Sequence, residues 1–173
     1  MKKYFDYNIK IIRSRFPKVQ GIENKVYDST IIEETKSGYQ TLRFNGLLIH
    51  SGYDPKKEAI KFAQKTKKGN KIFLYGFGLG YHIKSILDRI GPKGTLLVVE
   101  LNSEILSASF SSINHTEILE DPRFFFISNP NQQIAAKEIS KQMVNLEVSS
   151  NSQNTDILIH KPSFNCLPKS FEK

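Results

Sequence analysis

Apolar residues fall at helical spacing near the start of the chain (Phe5, Ile9, Ile12, Phe16) and Pro17 ends the run, which predicts a first helix over residues 4–16. From residue 30 the period shortens. Residues 30–35, 39–44 and 47–50 read as three short strands, with Ser37-Gly38 and Asn45-Gly46 at the turns between them. Asn-Gly suits a type I′ turn because both residues tolerate positive φ, so the segment predicts an antiparallel meander. Asp54-Pro55 then opens a second helix. Asp54 can cap its free N–H groups, Pro55 suits its first position, and Glu58 lies near the positive end of the helix dipole. Ala59, Ile60, Phe62 and Ala63 supply the expected buried stripe, and Gly69-Asn70 the end.

Beyond residue 70 strands and helices alternate. Short, nearly all-apolar strands are expected at 71–75, 95–100, 123–128 and 156–160, with helices over 81–90, 103–113 and 130–146. Asn129 is the expected cap of the last helix, with Pro130 at its first position. The polar run at 149–155 reads as a loop rather than a domain boundary, because another strand follows. The pattern predicts a single α/β domain over residues 1–173. Its core, 54–173, is a Rossmann-like, doubly wound, mainly parallel sheet, preceded over 1–53 by a helix and a small antiparallel β-meander.

Composition narrows the class without naming a chemistry. A chain of 173 residues with 39% hydrophobic and 24% charged residues can bury a core without disulfide or metal staples. No apolar run approaches the roughly 20 residues needed to span a bilayer, and Met-Lys-Lys is followed by no signal-peptide stretch, so a cytoplasmic protein is expected. Cys166 is the single cysteine, which excludes an internal disulfide and a cysteine-based zinc site. His50, His115 and His160 lack metal-ligand spacing, and no metal is expected.

The net charge of +8 is unevenly placed. Residues 1–71 hold 16 Lys+Arg against 7 Asp+Glu, and residues 72–173 hold 9 against 10. Much of the excess is lysine between Lys56 and Lys71. Arginine is scarce there and no stacking aromatics interleave, so a solvated helix face is expected and specific nucleic-acid binding is not.

The sharpest motif is Tyr75-Gly76-Phe77-Gly78-Leu79-Gly80-Tyr81-His82, an apolar strand running through alternating glycines into a helix. Such glycines allow a tight turn, let a ligand approach the backbone, and expose N–H groups at a helix start. Glu100 ends the next strand, where Rossmann-like sites place an acid that accepts hydrogen bonds from ribose hydroxyls. The same residues also fit a plain structural role, since tight strand–helix turns take glycine and many strands end on an acid. Gly76, Gly78, Gly80, Tyr81, His82 and Glu100 are the candidate cofactor-binding residues, for a nucleotide or S-adenosylmethionine. No nucleophile elbow, Walker loop or zinc motif accompanies them, and no catalytic residue is assigned.

Gly-x-Gly-x-Gly with an acid ending the second strand resembles the S-adenosylmethionine-dependent methyltransferases. Leu74 stands where those enzymes usually carry an acid. His160-Lys161-Pro162-Ser163-Phe164 matches only the proline and aromatic of their Asn/Asp-Pro-Pro-aromatic motif. A methyltransferase-like enzyme is the alternative reading.

A resemblance to the motility-associated factor (Maf) family covers more of the chain. It rests on His50-Ser51-Gly52-Tyr53-Asp54-Pro55-Lys56-Lys57-Glu58-Ala59, on Gly76-Phe77-Gly78-Leu79-Gly80-Tyr81-His82, and on the tail from His160 to Phe171. The resemblance implies a bacterial, cytoplasmic protein associated with flagellin glycosylation, in which a nonulosonic acid passes from a CMP-activated sugar to Ser or Thr hydroxyls. Family transferase activity resides in a central domain after the N-terminal one. The chain then corresponds to a Rossmann-like accessory or scaffold module, whose expected partner is that transferase domain or a flagellin-related protein.

Overall fold

The computed structural model describes residues 4–149 and 153–171; part of the polar run at 149–155 lies outside the described residues. Helix α1 (Phe5–Arg15) leads into β1 (Thr30–Glu34), β2 (Gln40–Phe44) and β3 (Leu47–Leu48), followed by α2 (Pro55–Ala63). The α/β part runs β4 (Lys71–Tyr75), α3 (Tyr81–Ile90), β5 (Thr95–Val99), α4 (Ser103–Ser112), α5 (Thr116–Leu119), β6 (Phe124–Ile127), α6 (Gln132–Asn145), β7 (Thr155–Ile159) and α7 (Lys161–Phe164).

The meander pairs antiparallel in the order β1-β2-β3, and Asn45 and Gly46 both take positive φ (46° and 84°) at its second turn, as an Asn-Gly hairpin requires. The second sheet has the order β6-β5-β4-β7 and all its pairs are parallel. The chain winds outward from β4 through β5 to β6, then returns to add β7 on the other side of β4. The order therefore reverses between β4 and β7. In a doubly wound sheet that is where a ligand crevice opens beyond the carboxyl ends of the strands.

Alternate strand residues face opposite layers. Ile72, Leu74, Leu96, Val98, Phe124 and Phe126 turn toward α1, α3 and α4 in the main core. Tyr75, Leu97, Val99 and Ile127 face the other way, toward Ile139 and Met143 of α6. A third cluster joins Leu42 and Ile49 of the meander region to Leu79, Ile105 and Cys166. Through it the small sheet lies across the glycine-bearing end of the parallel sheet.

Four local expectations change. Asn131, not Asn129, caps α6, and Pro130 precedes the cap: Asn129 Oδ1 accepts the Asn131 N–H at 2.9 Å, a turn that delays the helix until Asn131 Oδ1 takes the Ile134 N–H at 3.1 Å. Ile60 is exposed, because Pro55, Ala59 and Ala63, successive helical turns apart, form the buried side of α2. Helix α2 stops at Ala63, where the Thr66 hydroxyl donates to the Ala63 carbonyl at 2.8 Å, well before Gly69. Strand β3 ends at Leu48, which frees Ile49 for the core and His50 for the glycine loop. The Asp54 cap stands as expected, with Oδ1 accepting the Lys57 N–H at 2.9 Å and Pro55 in the first turn. No helix among the described residues is long and apolar enough to cross a membrane.

Candidate functional site

The loop from β4 to α3 carries Gly76, Gly78 and Gly80 at φ of 108°, 52° and 80°, so all three need the left-handed backbone that glycine tolerates. What surrounds them matters more. A Cβ on Gly76 would stand 2.8 Å from the Cβ atoms of both His160 and Ser163. One on Gly78 would run into His50 Nε2, and one on Gly80 would stand 3.0 Å from the His115 ring and from Ile118. The room on the side-chain face of each glycine is filled by side chains of this protein, while a cavity of about 290 Å³ borders Leu79, Gly80 and Tyr81 at the start of α3.

The loop's polar groups are likewise turned inward. Glu100 is fully buried, and its carboxylate accepts the N–H of Phe77 at 3.0 Å and the N–H of Asn102 at 3.0 Å. Burial pushes its pKa up to about 7, against backbone N–H groups of Asn102, Phe77, Leu101 and Gly78 that pull it down. His50 Nε2 accepts the Leu79 N–H at 2.8 Å, tying the end of the meander to the same loop. The carboxylate expected to hold ribose hydroxyls thus holds loop backbone. Tyr81, half-buried at the start of α3, donates its hydroxyl to the Gln40 carbonyl at 2.9 Å and sets its ring edge-on to His50.

His82 lies one residue further into α3 and is buried. Its Nε2–H donates to the Gly76 carbonyl at 2.8 Å, and a carbonyl can only accept, so Nδ1 is the lone-pair nitrogen. Among the described residues that Nδ1 has no hydrogen-bond partner. The His82 ring stacks on His160 with 4.2 Å between centroids and 12° between planes, and His50 stacks on His160 at 5.0 Å and 30°. Each ring comes from a different element: the end of the meander, α3, and the turn after β7. Burial holds all three below the ordinary histidine pKa, with His82 near 4. Sequence spacing gave no sign of this cluster, which needs the order reversal at β4 and β7 to form.

His115, the fourth histidine, sits apart under Gly80 with its Nε2 at 2.9 Å from the Ser109 hydroxyl and its backbone N–H bound by Asn8. The short helices α5 and α7 place His115 and Ser163 against the loop, and neither was predicted from the sequence.

Residues 28–124 match the family described as the glycosyltransferase Maf N-terminal domain. Among solved structures the fold is similar to a Maf glycosyltransferase from Magnetospirillum magneticum AMB-1, with a TM-score of 0.62 at 14% identity over 91% of this chain and 32% of that one. A spermidine synthase from Thermotoga maritima is more distant, with a TM-score of 0.48 at 14% identity over 63% of this chain and 41% of that one. No curated protein matches the chain in sequence. The chain spans about a third of the length of the Maf glycosyltransferase that it resembles. With more than half of its residues inside the family match, the chain belongs to the Maf glycosyltransferase N-terminal domain family.

Proposed function

We propose that this chain is a non-catalytic scaffold domain of a Maf-type flagellin glycosylation protein, whose adjoining transferase domain moves a nonulosonic acid from a CMP-sugar. One observation carries the reading. The nucleotide-type crevice is built, but His50, His160, Ser163 and His115 fill the side-chain face of its three glycines, and Glu100 binds the loop's own N–H groups. Binding a nucleotide there would require expelling packed side chains and unpairing a buried carboxylate, each costing several kcal/mol.

Support for a docked partner comes from the edge of the parallel sheet beside the crevice. Strand β7 is an edge, and Ile157, Ile159 and Phe164 on and beside it are 47%, 46% and 46% exposed. Helix α6 packs against β5 and β6 and leaves this half of the face open. That apolar surface fits a neighbouring domain.

A thermal-shift titration with S-adenosylhomocysteine and, in parallel, with CMP tests the reading. The scaffold predicts no saturable change in midpoint with either. A saturable rise with S-adenosylhomocysteine, lost in Glu100→Gln, overturns it in favour of a methyltransferase-like site.

A further inference from the structure

We infer that His50, His82 and His160 form a binding site for a divalent transition-metal ion of the zinc, cobalt or nickel class, buried between the glycine loop and the turn after β7. One nitrogen from each ring lies within 4.8 Å of the other two. Some point therefore lies no more than about 2.8 Å from all three, and a metal–nitrogen bond of about 2.1 Å requires an inward shift of at most about 0.7 Å at each nitrogen together with a turn of the stacked His82 and His160 rings.

The tautomers favour ligation. His82 is oriented by donating Nε2–H to the Gly76 carbonyl, which leaves a buried Nδ1 lone pair with no partner among the described residues. A metal ligand held by a backbone carbonyl through its other nitrogen is the usual supporting arrangement. His160 is fixed the same way: Nδ1 lies 2.8 Å from the Ser163 hydroxyl, which can accept its N–H and leave Nε2 to the metal. His50 has Nδ1 3.9 Å from the Glu58 carboxylate and reaches the ion through Nε2, giving up the Leu79 N–H as it does so.

The environment decides the class of ion. Three imidazoles with one nearby carboxylate suit zinc, cobalt or nickel, not calcium or magnesium, which demand oxygen. Burial keeps the rings neutral, so protons do not compete for the lone pairs near pH 7. A cavity of about 180 Å³ borders the cluster and is lined by Glu58, Phe62, Lys65 and Lys161, which gives an entry path. Glu58 offsets the charge of the ion there; Lys65 and Lys161 oppose it. Ligation also separates the stacked His82 and His160 rings, since an ion must lie near the plane of each.

The experiment is a Co²⁺ titration of the EDTA-stripped full chain, read by d–d absorption, with displacement by Zn²⁺. One equivalent of Co²⁺ is expected to give a tetrahedral or five-coordinate band that Zn²⁺ removes. His82→Gln and His160→Gln each weaken binding by at least about tenfold, while His115→Gln, at a buried histidine outside the cluster, leaves it unchanged. Circular dichroism checks the fold of every variant, and the two cluster substitutions serve as alternatives should one fail to fold. Absence of saturable binding by the folded wild type overturns the inference. So does equal binding by a folded cluster variant, or a thiolate charge-transfer band that assigns the metal to Cys166.

Discussion

Glu100 accepts the backbone N–H of Phe77 at 3.0 Å, across 23 residues, and this bond joins the end of β5 to the glycine loop after β4. The same carboxylate takes the Asn102 N–H at 3.0 Å. Glu100→Ala strands two buried donors and opens a small void, and the expected loss is about 3 kcal/mol in urea unfolding. Glu100→Gln keeps an acceptor oxygen but turns an amide N–H toward a backbone N–H, so a loss of about 1–2 kcal/mol is expected. If Glu100→Ala proves neutral, the carboxylate does not hold the loop.

Glycine substitutions separate backbone strain from lack of room. Gly38 and Gly78 both have positive φ, yet a Cβ on Gly38 meets nothing within 4 Å, whereas one on Gly78 collides with His50. Gly38→Ala is expected to cost about 1 kcal/mol, the strain of a left-handed alanine. Gly78→Ala adds displacement of a packed imidazole and its bond to Leu79, for a total of about 3 kcal/mol or more. Equal losses in parallel denaturation curves would show that the loop is not filled as described.

Much of this fold could be read from local pattern. The Asn45-Gly46 turn, the Asp54-Pro55 helix start and the apolar strands β4 to β7 are each decided by residues close together in the chain. Helices α5 and α7 escape such reading because a four-residue turn shows no apolar period, and α6 starts late because two asparagines compete to cap it. The residues around the crevice were legible as types, since the glycines and Glu100 stand out. Their partners were not. His50, His115, His160 and Ser163 reach the loop only through the packing of the meander and the return of the chain to β7, and spacing carries no trace of that.

Acid sensitivity follows from the histidines. All four are buried, and burial lowers the pKa of each, to about 4 for His82 and about 3 for His115. Unfolded histidines take up protons below about pH 6.5 while the folded ones do not, so their contribution is complete above 6.5 and is lost as pH falls toward 4. Glu100, pushed up to about 7, acts oppositely: its folded form keeps a proton that the unfolded chain has released, which favours folding toward acid. Four groups outweigh one. A net uptake of up to about three protons on unfolding near pH 5.5 gives a slope of at most roughly 4 kcal/mol per pH unit. The thermal midpoint should therefore drop by on the order of 10 °C between pH 7.5 and 5.5. A flat profile over that window would mean the histidines are not buried as neutral rings.

The open face at β7 separates folding from docking. Ile157 and Ile159 lie two residues apart on one side of the edge strand, opposite Phe73 and Tyr75 of β4. Their side chains are about half exposed, so replacing them removes only half of a full burial at each, whereas a docked domain would bury them fully. Ile157→Glu with Ile159→Glu is expected to cost about 1.5–3 kcal/mol in unfolding stability, half the full burial value at each of the two positions. In a Maf-type protein that carries the proposed adjoining domain, the same pair would put two charges into the proposed apolar contact, and charges buried without partners are costly. Limited proteolysis of that protein should then show this domain released at least tenfold faster than in the wild type, while the isolated chain still unfolds cooperatively with a midpoint lowered by no more than about 10 °C. Unchanged release would place the contact elsewhere. A collapse in stability of the isolated chain would show instead that β7 completes its own core.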